Sequence, residues 1–338
     1  MAGGQGRPGA TGQNRIIAYL PQFSCLSDMP NTRALSAALD GPDTAARLPY
    51  LALAQEIAHL LGEATVQVPA RLVQALAGGG SLFVMPATDG RTAITKLITF
   101  TPANAGSERA TIQGDVVVFD VASGARRLIL DGPTVTARRT AAVSLLAAQH
   151  LAHNPTGPLL IVGAGVQGRS HLEAFAMGLG VTEVCIASRS STSAQALAAH
   201  AQSMGLRARV VSDANAALAD CPLVITCTPA REVVLSSLPR PDAFIAAVGA
   251  FTPQMVELSP AVCRHFAAQG QVVLDTRDAD HEAGDLLQAG LAVSNFASLA
   301  DVVHGKQNRP LPKTGPVLFK SCGWAGWDLA AARLACRT

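Results

Sequence analysis

The feature that most constrains the fold of this chain is a buried-strand pattern that runs directly into a glycine-rich turn and then into a helix. Residues 159–168 read LLIVGAGVQG, and apolar residues at helical spacing follow. Gly163 permits a tight turn off the strand, Gly165 lets the backbone approach a pyrophosphate, and Gly168 allows close packing of helix and strand. The helix start provides free N–H groups for phosphates. The pattern predicts a dinucleotide site; the alternative is a glycine-rich structural turn.

The end of the second strand of this unit favours NADPH over NADH. In NAD sites an acidic residue about 20 positions beyond the glycines binds the ribose hydroxyls. This chain has Ser188, Arg189 and Ser190 there. A guanidinium flanked by hydroxyls suits a 2′-phosphate through charge-assisted hydrogen bonds. We therefore predict NADPH as the cofactor, with NADH less favoured; the alternative is that Arg189 is a solvated loop residue.

Further candidate cofactor-binding residues follow later strands of the same domain. Apolar strand patterns at residues 223–229, 244–249 and 272–275 alternate with helical ones, which indicates a doubly wound parallel sheet in an α/β fold. Ligands bind at the carboxyl ends of such strands. The candidate cofactor-binding residues are Thr140, Gly163, Ala164, Gly165, Val166, Gln167, Gly168, Ser188, Arg189, Ser190, Thr226, Cys227, Thr228, Val248 and Gly249.

Composition argues against several classes of function. A net charge of +2 does not favour a nucleic acid or a membrane surface as partner, and no apolar run reaches the ~18 residues of a membrane span. The seven scattered cysteines, without a CxxC pair, indicate thiols in a reducing cytoplasm rather than disulfides or a zinc site. The acidic residues 278–285, with His281 among them, fit a solvated helix start better than a metal site, so no metal is predicted.

The residues before the glycine-rich turn predict a second domain with an antiparallel or mixed sheet. A long helix is expected at residues 136–151, with Arg138 and Arg139 near its start. Basic residues there oppose the helix dipole, so either an anion binds at this point or the pair is solvated. Helices are also expected at residues 31–39 and 49–61, and strands at 16–20, 65–71, 81–87, 92–100, 110–121 and 126–130.

Short motifs in a fixed order give the chain a resemblance to the ornithine cyclodeaminase/mu-crystallin family. They are PAR at 69–71, MPA at 85–87, Lys96, TARRTAA at 136–142, GAGVQ at 163–167 and FKSCG at 319–323. The resemblance implies a Rossmann domain and a discontinuous substrate-binding domain that mediates homodimer formation. We assign residues 146–304 to the first, residues 15–145 and 305–338 to the second, and residues 1–14 to a disordered tail.

The resemblance also implies the residues of the substrate pocket. The family's pocket cations correspond to Arg71, Lys96 and Arg139, and Thr111 in the adjacent hairpin is a weaker candidate. The family's cyclodeaminases carry an essential Asp and a Lys where this chain has Phe251 and Met255. Because a phenyl ring cannot transfer protons, cyclodeaminase chemistry is disfavoured.

The remaining chemistry is hydride delivery to a cyclic imine that carries a 2-carboxylate. The resemblance implies reduction of Delta(1)-pyrroline-2-carboxylate and Delta(1)-piperideine-2-carboxylate to L-proline and L-pipecolate. Arg71 and Arg139 would hold the carboxylate by forked hydrogen bonds, Lys96 would bind it or donate a proton, and Phe251 would pack on the ring. The alternatives are an amino-acid dehydrogenase or cyclodeaminase, and a non-enzymatic ligand-binding protein.

Overall fold

In the part of the chain that the structure describes, two β-sheets, one mixed and one parallel, carry the helices. The computed structural model describes residues 37–104, 107–229, 231–305 and 315–337. The predicted tail at residues 1–14 and strand at 16–20 lie outside these ranges. None of the helices in the described part of the chain combines the length and apolar character that crossing a bilayer requires.

The first sheet has six strands in the order β1-β6-β5-β4-β3-β2. Neighbouring strands run antiparallel, except that β1 pairs with β6 in parallel. The strands are β1 (Ala37–Ala38), β2 (Leu72–Ala75), β3 (Ser81–Thr88), β4 (Thr92–Phe100), β5 (Ile112–Asp120) and β6 (Arg126–Asp131).

Two predictions for this region need correction. The helix expected at residues 31–39 is wrong at its end, because residues 37–38 form β1; residues 31–36 lie outside the described part. The strand expected at residues 65–71 is reduced to one bridge between Gln67 and Thr88, and β2 begins only at Leu72. Pro69 lies between them, and proline has no N–H with which to continue a ladder.

Helices α1 (Gly41–Ala46), α2 (Tyr50–Leu61) and α3 (Gly132–Leu151) accompany the first sheet. The side chain of Asp131 caps α3 by accepting a 2.8 Å hydrogen bond from the Thr134 N–H. Because α3 therefore begins four residues earlier than predicted, Arg138 and Arg139 lie in its second turn. The dipole effect falls off within the first turn, so the argument for an anion at a helix start does not apply to them.

The second sheet has eight parallel strands in the order β13-β12-β14-β11-β10-β7-β8-β9. The chain moves outward from β7 in one direction and returns through β10 in the other, so their carboxyl ends form the switch point where ligands bind in such sheets. The predicted α/β class is confirmed. The strands are β7 (Leu159–Val162), β8 (Glu183–Ala187), β9 (Arg207–Val210), β10 (Leu223–Thr226), β11 (Phe244–Ala247), β12 (Gln271–Leu274), β13 (Ala297–Ser298) and β14 (Val317–Lys320).

The C-terminal segment connects the two sheets. Strand β14 pairs with β11 and β12, although the sequence assigned residues 305–338 to the other domain; the last helix instead packs on α2, α3, β3 and β4. The helices of this half are α4 (Val166–Leu179), α5 (Ser191–Ser203), α6 (Ala214–Ala217), α7 (Pro260–Gln269), α8 (Gly284–Gln288), α9 (Leu299–Val303) and α10 (Ala325–Ala335).

Candidate active site

The glycine-rich turn between β7 and α4 is tightly packed underneath and open above. A Cβ atom on Gly163, whose φ is 115°, would lie 2.9 Å from the Cys227 carbonyl oxygen, and one on Gly168 would lie 2.1 Å from the Gly163 oxygen. A Cβ on Gly165 would meet no atom within 4 Å. Two glycines are therefore required by packing, while the middle one leaves an open surface at the start of α4, which has no side-chain cap. This surface fits a pyrophosphate.

The first turn of α4 is attached to α3 through Thr136. The Gln167 side-chain amide donates to the Thr136 carbonyl oxygen at 3.5 Å, and the Thr140 hydroxyl donates to the same oxygen at 2.7 Å. These two candidate cofactor-binding residues thus use their side chains to join the glycine-rich turn to the helix that carries Arg139.

The residues that follow β8 form the start of α5. The Ser190 hydroxyl caps this helix by accepting a hydrogen bond from the Ser193 N–H at 3.2 Å, and the Ser188 hydroxyl oxygen accepts one from the Ser190 N–H at 3.4 Å. Arg189 between them is exposed and forms no ion pair with any residue that the structure describes. Its guanidinium is therefore available to an anionic ligand.

Glu257, which the sequence analysis did not identify as a site residue, organises the carboxyl ends of β10 and β11. Its carboxylate accepts hydrogen bonds from the Thr226 hydroxyl (2.9 Å), the Thr228 hydroxyl (2.9 Å) and the N–H groups of Thr228 and Gly249 (both 2.7 Å). Burial raises the pKa of this carboxyl group. Because Thr226 is fully buried and its hydroxyl is engaged, any effect of that side chain on a cofactor is indirect.

A buried ion pair between Lys320 and Asp285 holds the backbone of Glu257 in place. The Lys320 ammonium lies 2.9 Å from the Asp285 carboxylate and donates to the Ala250 carbonyl oxygen at 2.5 Å. Asp285 also accepts the N–H groups of Glu257 (2.6 Å) and Leu258 (2.9 Å). The prediction that residues 278–285 form a solvated helix start is therefore wrong for Asp285, which is buried because it anchors this loop.

Lys96 and Arg139 meet at a carboxylate that the sequence analysis missed. Lys96 on β4 and Arg139 on α3 are 3% and 7% exposed, and Asp328 on α10 is fully buried. The Lys96 ammonium lies 3.0 and 3.1 Å from the two Asp328 carboxylate oxygens, and the Arg139 Nε lies 3.4 Å from one of them. Buried charges of this kind require compensation, which Asp328 provides.

Arg71 adds a third cation, paired with Glu282. Their side chains are 20% and 28% exposed, and Arg71 is close enough to Lys96 to influence its titration. Glu282 belongs to the acidic residues 278–285, among which the described chain contains no group positioned to hold a metal ion. Three cations and two carboxylates leave one positive charge in this cluster when Lys96 is protonated. The arrangement suits a ligand with one carboxylate.

Lys96 is poised to exchange a proton near neutral pH. Burial lowers its pKa, Asp328 raises it, and Arg139 and Arg71 lower it again, with the net result that the pKa falls to about 8. An acid whose pKa lies near the working pH is suited to general acid–base catalysis.

Thr136 brings the cationic cluster and the glycine-rich turn together. Its hydroxyl oxygen lies 3.4 Å from the Lys96 ammonium, while its carbonyl oxygen accepts the Gln167 amide. A dinucleotide bound at the turn would therefore lie next to the cluster, with Thr136 between them.

The FKSCG motif at residues 319–323 leaves room for the guanidinium of Arg139. Asp275 accepts hydrogen bonds from the Ser321 hydroxyl (2.8 Å) and from the N–H groups of Cys322 (3.0 Å) and Gly323 (2.8 Å). Gly323 has a φ of 89°, and a Cβ on it would lie 3.2 Å from both terminal nitrogens of Arg139. Neither Asp275 nor Asp328 carried a recognisable signal in the sequence, and Glu282 was noted only as one of the acidic residues 278–285.

Two predicted substrate residues, Thr111 and Phe251, take no part in the ion pairs of the cluster. The Thr111 carbonyl oxygen accepts a hydrogen bond from the Thr101 N–H, whereas Lys96 lies opposite Val116 in the pairing of β4 with β5. Because Thr111 is five residues from Val116, it lies about 17 Å from Lys96 along the strand direction. Phe251 follows the anchored Ala250, and its side chain is about one-third exposed. Both roles stay predictions.

The two adjacent arginines of α3 have different surroundings. Arg138 donates to the Leu48 carbonyl oxygen at 3.1 Å and stacks 4.4 Å over the Tyr50 ring. Arg139 instead faces Asp328. The alternative that both arginines are solvated is therefore wrong.

A cavity of about 360 Å³ lies at the opposite, amino-terminal edge of the parallel sheet. Its two arginines are already neutralised, because Arg207 pairs with Glu183 and Arg209 lies 2.9 Å from Asp220. It therefore contributes nothing to the site at the switch point.

Comparison with known proteins gives a consistent group of relatives. The profile of the ornithine cyclodeaminase/mu-crystallin family matches residues 51–336. Delta(1)-pyrroline-2-carboxylate reductase 2 of Burkholderia ambifaria is 38% identical over 302 residues, which cover 88% of this chain and 94% of that protein. The ketimine reductase mu-crystallin of Mus musculus is 36% identical over 259 residues, which cover 75% and 79% of the two chains.

Solved structures share the fold. Delta(1)-pyrroline-2-carboxylate reductase of Thermococcus litoralis, in complex with NADH and L-proline, superimposes with a TM-score of 0.82 at 23% identity, covering 89% of this chain and 96% of that one. An archaeal alanine dehydrogenase dimer with bound NAD gives a TM-score of 0.80 at 20% identity, covering 89% and 94%.

The three glycines of the turn should respond differently to alanine. We expect Gly165→Ala to keep the thermal stability of the wild type but to weaken binding of NADH and NADPH about tenfold or more, because the new methyl group occupies the open surface. Gly168→Ala is the contrast, since its methyl group clashes with backbone and should lower the melting temperature. Fluorescence titration and thermal melts measure both effects. Unchanged nucleotide affinity in Gly165→Ala would argue against a dinucleotide at this turn.

Proposed function

The chain belongs to the ornithine cyclodeaminase/mu-crystallin family, and on that premise we propose that it reduces cyclic imines carrying a 2-carboxylate. The proposed substrates are Delta(1)-pyrroline-2-carboxylate and Delta(1)-piperideine-2-carboxylate, and the products are L-proline and L-pipecolate. The observation that carries the proposal is the contact of Thr136 with both Lys96 and Gln167, because it brings the cationic cluster close to the open glycine-rich turn. The names of the relatives support the same reaction class.

The reaction adds a hydride to ring carbon 2 and a proton to the ring nitrogen. The open turn at Gly165 and the start of α4 would hold a reduced nicotinamide cofactor, which would supply the hydride and be oxidised in the reaction. As the hydride arrives, the electron pair of the C=N bond moves to nitrogen, which takes the proton. One imine, one reduced nicotinamide and one proton give one cyclic amino acid and one oxidised nicotinamide.

The residues of the cluster divide this work. Arg71 and Arg139 hold the 2-carboxylate, and the ligand displaces Glu282 from Arg71. Lys96 donates the proton, because a pKa lowered to about 8 makes it a stronger acid than an ordinary lysine. Since this value is still above neutral pH, the amine takes up a new proton between turnovers. Phe251 packs on the apolar part of the ring, where a cyclodeaminase would need a carboxylate.

The rivals make different demands on the site. A cyclodeaminase needs an acid/base group at position 251, and phenylalanine cannot provide one. An amino-acid dehydrogenase needs free ammonia, whereas an imine reductase does not. A binding protein without activity does not require a proton donor, whereas an imine reductase can use a lysine whose pKa is lowered to about 8.

Turnover without ammonia is the first test of this function. We expect purified protein to oxidise NADPH with either cyclic imine alone, and Arg71→Ala to lower kcat/KM about 30-fold, the lower end for losing a carboxylate contact. Arg138→Ala is the matched control, because that arginine contacts Leu48 and Tyr50 instead. Turnover only with pyruvate and ammonia would assign a dehydrogenase, and nucleotide binding without turnover would assign a binding protein.

We further propose a preference for NADPH. The exposed Arg189 between two serines, with no carboxylate at this strand end, supports contact with a 2′-phosphate. Arg189→Ala should raise the KM for NADPH about 10- to 100-fold, as expected for loss of a charge-assisted hydrogen bond, and leave that for NADH within twofold. Arg207→Ala at the other end of the sheet should change neither. Equal effects on the two cofactors would refute the preference.

We also propose that two copies associate through the outer face of the first sheet. Leu72, Val84 and Leu97 are cross-strand neighbours on one face of β2, β3 and β4, and Leu72 and Leu97 are 55% and 41% exposed. Lys96 points to the opposite face. A second copy would cover this apolar surface.

Light scattering tests the dimer. We expect twice the chain mass of 34.7 kDa for the wild type and a shift toward the single-chain mass for Leu97→Lys. Met177→Lys, which alters an exposed apolar residue of α4, is the control and should stay dimeric. A wild-type monomer at micromolar concentration would contradict the proposal.

A further inference from the structure

We propose that Asp328 is a positioning residue that keeps Lys96 protonated, and so sets the pH range over which the site can deliver a proton to the substrate. The inference rests on the proposed imine reduction for its catalytic meaning. Its electrostatic content concerns only residues of this chain.

The contacts of Asp328 are unusual for a buried carboxylate. It is fully buried in the first turn of α10, and its carboxylate lies 3.0 and 3.1 Å from the Lys96 ammonium and 3.4 Å from the Arg139 Nε. It accepts no backbone N–H among the residues that the structure describes. A carboxylate whose polar partners in the described chain are two side-chain cations is placed to stabilise the protonated form of Lys96.

A second buried lysine–carboxylate pair in the same chain provides the contrast. Asp285 lies 2.9 Å from Lys320 but also accepts the N–H groups of Glu257 and Leu258. That carboxylate holds a loop in place, and its lysine donates to backbone carbonyl groups. Since Asp328 holds no loop, stabilising backbone structure does not account for its burial.

The other groups around Lys96 oppose its positive charge. Arg139 approaches from α3 and Arg71 from the segment before β2, and both act with burial to favour the neutral amine. The neighbours on β3 and β5, Met85 and Val116, are apolar. Thr136 is uncharged, and Glu282 is paired with Arg71. Asp328 is thus the carboxylate in direct contact with Lys96 that counters these effects.

Charge balance predicts which kinetic constant depends on Asp328. With Asp328 neutralised and Lys96 deprotonated, Arg71, Arg139 and Glu282 still leave one net positive charge, as in the wild type. Attraction for the substrate carboxylate is then retained while the proton donor is lost. Removing the Asp328 charge should therefore lower kcat much more than it raises KM.

Lysine NMR tests the electrostatic part without any turnover. The chain contains four lysines, Lys96, Lys306, Lys313 and Lys320, so ¹³C,¹⁵N-lysine labelling gives a simple spectrum in which Lys96→Arg assigns the Lys96 signal. We expect a wild-type midpoint near pH 8, a lower midpoint in Asp328→Asn and an unchanged one in Asp285→Asn. The same midpoint in Asp328→Asn as in the wild type would overturn the proposal.

Imine reduction as a function of pH tests the catalytic part. Lys96 carries its proton below its pKa, so wild-type kcat should fall as pH rises through about 8. In Asp328→Asn this decline should move to lower pH, and kcat at pH 7 should fall on the order of tenfold to a hundredfold with KM within about threefold. Asp285→Asn should lose stability without moving the decline. A decline at the wild-type pH in Asp328→Asn would assign Asp328 a merely structural role.

Wild-type protein provides a further readout should Asp328→Asn fail to fold. With ¹³C-labelled aspartate carboxyl groups, one wild-type signal should shift with the Lys96 midpoint, and that titration should disappear in Lys96→Arg. Absence of such a signal would contradict the coupling. If the wild type fails to reduce either imine while the NMR coupling is present, the proposed function fails and the electrostatic role of Asp328 stands.

Discussion

The ion pairs of Asp328 are the interaction on which the candidate site depends. Lys96 and Arg139 lie on different elements, almost without solvent, and two like charges in such a place are unfavourable unless a carboxylate compensates them. The last helix brings that carboxylate, so the charges of the site depend on the packing of this helix against the first sheet.

The C-terminal segment also holds the two halves of the site, the carboxyl ends of β10 and β11 and the cationic cluster, in fixed positions. Strand β14 adds to the parallel sheet, and Lys320 at its end supports Asp285 and, through it, Glu257, which holds the ends of β10 and β11. A few residues later Gly323 makes room for Arg139. One continuous stretch thus supports the edge of the sheet at the switch point and shapes the cationic cluster.

Much of the fold could be predicted because its signals are local. The glycine-rich turn, the apolar strands and the hairpin each follow from neighbouring residues, and errors arose where neighbours compete, as when Pro69 interrupts a strand. The site was harder. Arg71, Lys96 and Arg139 were found through motifs, but their carboxylate partners were not, since Asp328 is 232 residues from Lys96 and a single aspartate in an alanine-rich helix has no distinguishing pattern.

The sequence by itself determined the fold class, the position of the glycine-rich turn, the three cations and the lack of an acid at position 251, because each depends on residue type and short-range spacing. The tertiary structure decided which carboxylates face those cations. It alone places Asp328 between Lys96 and Arg139, Glu282 beside Arg71, and Arg138 away from the cluster on Tyr50. The protonation of Lys96 depends on distance and burial, and these arise only when the last helix packs against the first sheet.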